Sequence, residues 1–391
     1  MEVTQFFPLL GFLAVQPVLA VYAPIPEQEQ GKQLTVLVTA GIAHDSNIFG
    51  AATSAISSTV YTFSPELKFN SSLTDQTFVS ASYKLTLDHF TERPGDKTLD
   101  SHDLMGRVAH AFNANTNIDI TETYTVSKNP ESLLAGVAIN TDQSFKRNQL
   151  DGRFVTSLSG KTTGTIKART VNYSYDNAVL AASIDRTENL YGVEIGQAFL
   201  PEVKLVGEYR HQDVNYRSSG STKDKQSDFL IGGVDYNVAR KTTATGRLGY
   251  EWRKRDGERS SATPYVELSS KYDYAEKSFI TAGYIYTFEE TSNIATYTDT
   301  KVNRFFVNVQ HAVSALIVAS GSFSYEPSTL QGRRGVADVD EKTTRLGLAL
   351  SYLISKNWSL SATFDHDNVN SDSPTRDLKR DRYGVSASFS F

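Results

Sequence analysis

The residues whose types could do chemistry are a Gly-Lys-Thr triplet, seven histidines and a dense set of charged side chains. Gly160-Lys161-Thr162 has the ending of a phosphate-binding loop, but Val155 stands where that loop needs its first glycine. The triplet is expected to be a turn. His44, His89, His102, His110, His211, His311 and His366 are scattered, and no pair has the i, i+4 spacing of a His-Glu-x-x-His zinc site. No serine, histidine and orienting polar residue form a hydrolase trio, and no cysteine exists for a thiolate site or a disulfide. No catalysis, metal or cofactor is expected.

What remains is charge ordered by alternation. Lys68, Lys84, Arg107, Arg153, Lys167, Arg210, Arg247, Arg253, Lys271, Arg304, Arg345 and Arg382 fall on the polar side of alternating runs. Asp119, Asp151, Glu194, Glu208, Glu251, Glu267 and Asp365 fall on the same side. If that side lines a lumen, these groups either pair off as a solvated wall or hydrogen-bond a polar solute such as a sugar chain. The near balance of signs argues against strong ion selectivity, since selectivity rings are usually of one sign.

The elements that would position these charges are strands. Tyr61, Phe63, Leu67 and Phe69 alternate with Thr62, Ser64, Glu66, Lys68 and Asn70, which gives one apolar and one polar face. The pattern returns at Val79 to Leu87, Ala244 to Trp252, Leu346 to Tyr352 and Trp358 to Phe364. Breaks alternate in length: short near 71–76, 113–116, 159–162, 200–203, 238–241, 274–278, 312–315 and 353–357, long near 45–58, 91–100, 128–144, 176–187, 213–227, 255–261, 289–300, 327–340 and 369–378. This implies an all-β fold: a transmembrane antiparallel up-and-down barrel over 34–391 with about eighteen strands, short periplasmic turns and longer extracellular loops. A set of β-sandwiches would also alternate, but no linker or change of composition interrupts the run.

Three places break the pattern and predict bulges or a slipped register: Pro65, Glu122 on the apolar side, and Arg169 to Tyr175, where the apolar face changes sides. The longest break, 128–144, carries Leu133, Leu134, Val137 and Ile139, an apolar stretch expected to fold inward as a constriction. The competing reading places it in the outer leaflet or against a partner.

Composition permits this architecture. The chain has 391 residues, 39% hydrophobic and 21% charged, with a mean hydropathy of -0.34. A barrel shows lipid only every second residue, so its average hydropathy looks soluble. A net charge of -5 with no basic block argues against nucleic acid as a partner. Residues 1–23 read as a signal peptide, with an apolar stretch from Phe6 to Val15 and then Val18-Leu19-Ala20 and Val21-Tyr22-Ala23, either of which suits cleavage, although Glu2 is unusual there. A buried N-terminal helix is the alternative. Residues 24–33 would be a short periplasmic segment.

The last residues, Tyr383 to Phe391, alternate toward a terminal aromatic, with Tyr383, Val385, Phe389 and Phe391 on one side. This looks like the C-terminal signature that the barrel-assembly machinery recognises. The strand and turn Ala40-Gly41-Ile42-Ala43-His44-Asp45-Ser46-Asn47-Ile48-Phe49, with Leu248-Gly249-Tyr250-Glu251-Trp252-Arg253 and Thr263-Pro264-Tyr265-Val266-Glu267-Leu268, resembles the β-barrel porin-2 family. That resemblance implies an outer-membrane barrel of a Gram-negative bacterium associated with exopolysaccharide production, and it carries no catalytic residues. Its partners would be outer-membrane lipid and lipopolysaccharide, the assembly machinery, and polysaccharide with periplasmic export components. The expected function is a porin-like channel for polar solutes; the alternative is a non-conducting accessory barrel of a secretion or surface assembly.

Overall fold

The computed structural model describes residues 33–128, 144–217, 223–238, 241–291, 296–333, 335–373 and 376–391. Eighteen strands follow one another: β1 (Leu34–Asp45), β2 (Ser58–Thr74), β3 (Thr77–Phe90), β4 (Thr98–Asn113), β5 (Thr116–Ser127) and β6 (Phe145–Ser159). The next are β7 (Thr162–Tyr175), β8 (Arg186–Leu200), β9 (Val203–Tyr216), β10 (Lys225–Val238), β11 (Thr242–Arg255) and β12 (Ser261–Ala275). The last are β13 (Ser278–Glu289), β14 (Tyr297–Ala312), β15 (Ile317–Gly332), β16 (Val339–Leu353), β17 (Trp358–Ser371) and β18 (Leu378–Ser390). One short helix, α1 (Ala178–Ile184), lies between β7 and β8.

Each strand pairs antiparallel with its neighbours in sequence, and β1 also pairs with β18 from Leu37 opposite Ser390 to Asp45 opposite Arg382. The sheet is therefore closed and has no free edge, the condition under which strands can cross lipid. Short turns gather at one rim, called the turn end, and long loops at the other, the loop end. The expected signal peptide lies outside the described residues, as does all of the 24–33 segment except Gln33.

Burial identifies the two faces. Glu208, Arg210 and Glu251 are each 2% exposed, whereas Tyr61 is 50% and Leu248 60% exposed. The charged face is thus the inside and the apolar face the outside. A belt of exposed aromatic and aliphatic side chains running round a closed sheet is stable only against lipid. All seven histidines fall on this outer face, and among the described residues no group of acidic and imidazole side chains could hold a metal ion.

None of the three expected irregularities is a bulge. At Pro65 the register runs through unchanged, from Phe63 opposite Leu87 to Glu66 opposite Lys84. The proline leaves a gap in the ladder without shifting it. At Glu122 both ladders are in register, with Gly106 on one side and Leu150 on the other. Its carboxylate points outward and accepts a hydrogen bond from Asn148 Nδ2 at 3.1 Å, so a neighbouring amide rather than a slipped strand tempers the charge. Replacing Glu122 by leucine is expected to raise the unfolding free energy in lipid vesicles by about 1 kcal/mol. Urea titration followed by tryptophan fluorescence measures it, and a loss of stability would refute a lipid-facing position.

From Arg169 to Tyr175, β7 also keeps register with β6 and β8. Its inner face turns apolar because α1 covers it. Leu180 and Ile184 pack on Tyr175, with Phe145 and Tyr173 beside them, and Ile184 is fully buried.

Candidate functional site: the lumen and its mouth at the loop end

The strand registers place every charged residue read from alternation on the inner face, and most of them form pairs. Across β4 and β5, Arg107 Nε donates to Asp119 at 2.9 Å. Asp151 accepts from Arg169. Lys167 bridges Glu194 at 2.7 Å and Glu208 at 3.1 Å, and Glu208 also holds Arg210 at 2.7 Å. Arg247 meets Asp235 at 2.6 Å, Lys271 meets Asp273 at 2.9 Å, and Lys68 meets Glu66 at 3.1 Å. Glu267 accepts from the Tyr265 hydroxyl at 2.8 Å. Farther round, Arg304 lies between Glu289 and Glu326, and Arg382 pairs with Asp367 while standing opposite Asp365 in the ladder. Lys84, Arg153 and Arg345 make no ion pair or hydrogen bond among the described residues. The uncommitted charge of the wall is therefore cationic.

Two features sequence reasoning missed shape the mouth at the loop end. The first is α1. Its three alanines favour a helix, and Asn177 caps it by accepting from the N–H groups of Val179 at 2.9 Å and Leu180 at 3.2 Å. Asp185 anchors its far end by accepting from Tyr175 N–H at 2.8 Å, and Lys223 Nζ donates to Ser183 O at 3.2 Å. The apolar switch in β7 was the available signal for an inward-lying element. The loop expected to constrict the lumen, with Leu133, Leu134, Val137 and Ile139, lies outside the described residues.

The second is a clamp on β10 to β14. Above Val266 and Tyr286 the ladder between β12 and β13 stops, next to Pro264, whose nitrogen has no hydrogen to donate. Side chains take over. Glu290 meets Lys225 Nζ at 2.6 Å and Arg255 at 3.1 Å and accepts from the Tyr216 hydroxyl at 2.6 Å, while Asp299 meets Arg253 at 3.0 Å and Arg255 at 3.2 Å. Burial alone would raise the Glu290 carboxyl, but Lys225, Arg255 and the Tyr216 hydrogen bond outweigh it and hold it well below the usual carboxylate range. With its folded value depressed, its contribution to stability is complete above the ordinary carboxylate range, hence at neutral pH. It is lost only as pH falls through that depressed value.

The Asp45-Ser46-Asn47 turn closes the seam. Arg380 Nε donates to Asp45 at 2.9 Å, both side chains being buried. Ser46 exchanges hydrogen bonds with the Asp381 backbone, donating from its N–H at 3.0 Å and accepting at its Oγ at 2.8 Å. Asn47 reaches Ala51 O at 2.8 Å and Lys379 O at 3.3 Å. At the other rim, Val36 and Phe391 exchange backbone hydrogen bonds at 3.0 Å, and the Phe389 ring packs tilted against Trp358 with ring centroids 4.9 Å apart.

A closed eighteen-stranded barrel with a lipid-facing belt and a charged lumen defines an outer-membrane β-barrel of the porin type. The family described as "Putative beta-barrel porin 2" matches residues 34–391, and the chain belongs to it. No curated protein sequence matches the chain. Among solved structures it is similar to OccAB2 of Acinetobacter baumannii, at 11% identity and a TM-score of 0.48 over 92% of this chain and 98% of that one. The outer membrane protein OpdK of Pseudomonas aeruginosa gives the same values. The FrpB iron transporter of Neisseria meningitidis, in its F5-1 variant apoprotein form, gives 8% identity and 0.48 over 92% and 81%.

Proposed function

We propose that the barrel is a water-filled pore for polar solutes in the outer membrane of a Gram-negative bacterium, and that a polysaccharide chain in transit is among them. The observation that carries this reading is the inner wall, where charges of both signs are mostly paired, leaving a hydrophilic surface with no strong trap. An eighteen-stranded barrel leaves an aqueous interior, and a moving solute needs sites weak enough to leave. The family points to a transport barrel rather than an enzyme. Since Lys84, Arg153 and Arg345 are the uncommitted charges, the pore is weakly anion-selective.

The test is reconstitution in planar bilayers across a potassium chloride gradient. Steady conductance with a small reversal potential on the chloride side is expected, together with partial block by added glycans. A bilayer that takes up folded protein without conducting would sink the pore reading.

A further inference from the structure

At the loop end the clamp on β10 to β14 borders a cavity of about 460 Å³, within the range of ligand sites. Its walls carry cations from three places: Lys225, Arg253 and Arg255 on the strands, Arg259 on the 256–260 loop, and Arg333 after β15. Its acids are already engaged. Glu258 is ion-paired with Arg333 at 3.0 Å, Asp338 accepts from Gly332 N–H at 2.8 Å, and Asp299 is held by two arginines. The donors are not all engaged. Arg255 Nε is buried without a hydrogen bond, and so is Arg253 Nε, which has only a long ion-pair contact with Glu251 at 3.5 Å; both side chains are only 4% exposed. Arg259, exposed on its loop, has no partner among the described residues.

A buried guanidinium donor without an acceptor is costly, and an anionic oxygen ligand is what relieves it. We propose that this cavity is a binding subsite for a carboxylated sugar unit of the solute at the mouth of the pore. The inference deepens the pore reading and rests on it for its biological sense. The unbonded Nε–H of Arg255, that of Arg253 beyond its long contact with Glu251, and the Arg259 charge suit one carboxylate. Ser261, Thr298 and Gln331 supply neutral hydrogen-bonding groups for hydroxyls. Engaged acids at the rim accept from those hydroxyls and repel a doubly charged phosphate, so the mixture fits a sugar acid better than an inorganic anion.

The test is isothermal titration of the detergent-purified full chain with oligogalacturonate, maltooligosaccharide and inorganic phosphate, a readout that does not need conduction. Oligogalacturonate is expected to bind at least tenfold more tightly than either of the others. Arg259→Gln, on an exposed loop, should weaken it severalfold, and so should Arg253→Lys, which keeps the charge facing Asp299 but removes the Nε donor. Lys161→Gln, on the exposed turn between β6 and β7 at the opposite rim, should leave it unchanged. Heat-modifiable gel mobility confirms folding of each variant. Equal binding of the neutral glycan, preference for phosphate, absence of binding, or an equal loss in Lys161→Gln would each overturn the proposal. Binding without conductance would sink the pore reading and leave the subsite standing, and conductance without binding would do the reverse.

Discussion

Excising Asn177–Ile184 and joining Asp176 to Asp185 through a Gly-Ser link is expected to raise single-channel conductance by about twofold or more, since a helix with its side chains is about 10–12 Å across. The helix sits on the luminal side of the β6 and β7 tops, held by the burial of Leu180 and Ile184 against Tyr175. Removing it widens the mouth and exposes Tyr173 and Tyr175 to water. A milder variant, Leu180→Ser with Ile184→Ser, keeps the loop length but releases the helix from the wall, and should appear as added open-channel noise. An unchanged conductance in the first and an unchanged noise spectrum in the second would place the helix outside the current path.

Arg380→Met is expected to destabilise the barrel by about 3–5 kcal/mol, because it leaves the buried Asp45 carboxylate without its guanidinium. Asp45→Leu combined with Arg380→Met should recover most of that loss, since an apolar pair of similar volume costs little where an ion pair was already desolvated. The midpoint of the heat-induced gel shift measures both. If the single and double variants melted together with the parent, the pair would contribute nothing to closure.

Much of the barrel is legible in the chain before any coordinates. Alternation in β2, β11 and β16 reports the faces directly, because a lipid-facing belt forces an apolar residue at every second position. The pairing of β1 with β18 follows from the requirement that a sheet in lipid have no edge. The three misjudged places share a physical cause: in each, a residue violates the pattern for a reason local alternation cannot see. Glu122 is answered by Asn148 on the next strand. Pro65 costs one rung and no register. The apolar inner face of β7 answers to a helix about ten residues on in the chain, whose packing no strand period encodes.

The candidate site was legible only as a list of inward charges. Which of them are spent on one another depends on cross-strand register, diagonal reach and loops. Arg255, bound to Glu290 and Asp299 and central to the clamp, did not stand out, since a strand-end arginine usually faces water. The Asp-Ser-Asn turn was visible as a family likeness, yet its work as the clasp of the seam needed the position of Arg380.

That every strand but one pairing is with a chain neighbour has a kinetic consequence. Contacts between adjacent hairpins are local and form quickly, whereas β1 against β18 joins residues 37 and 390 and must await nearly the whole sheet. Almost all the long-range loop-closure entropy falls on that single step. A weakened clasp would thus leave hairpin formation untouched and prolong the life of an open, curled sheet with two unsatisfied margins, the species most able to pair with another chain.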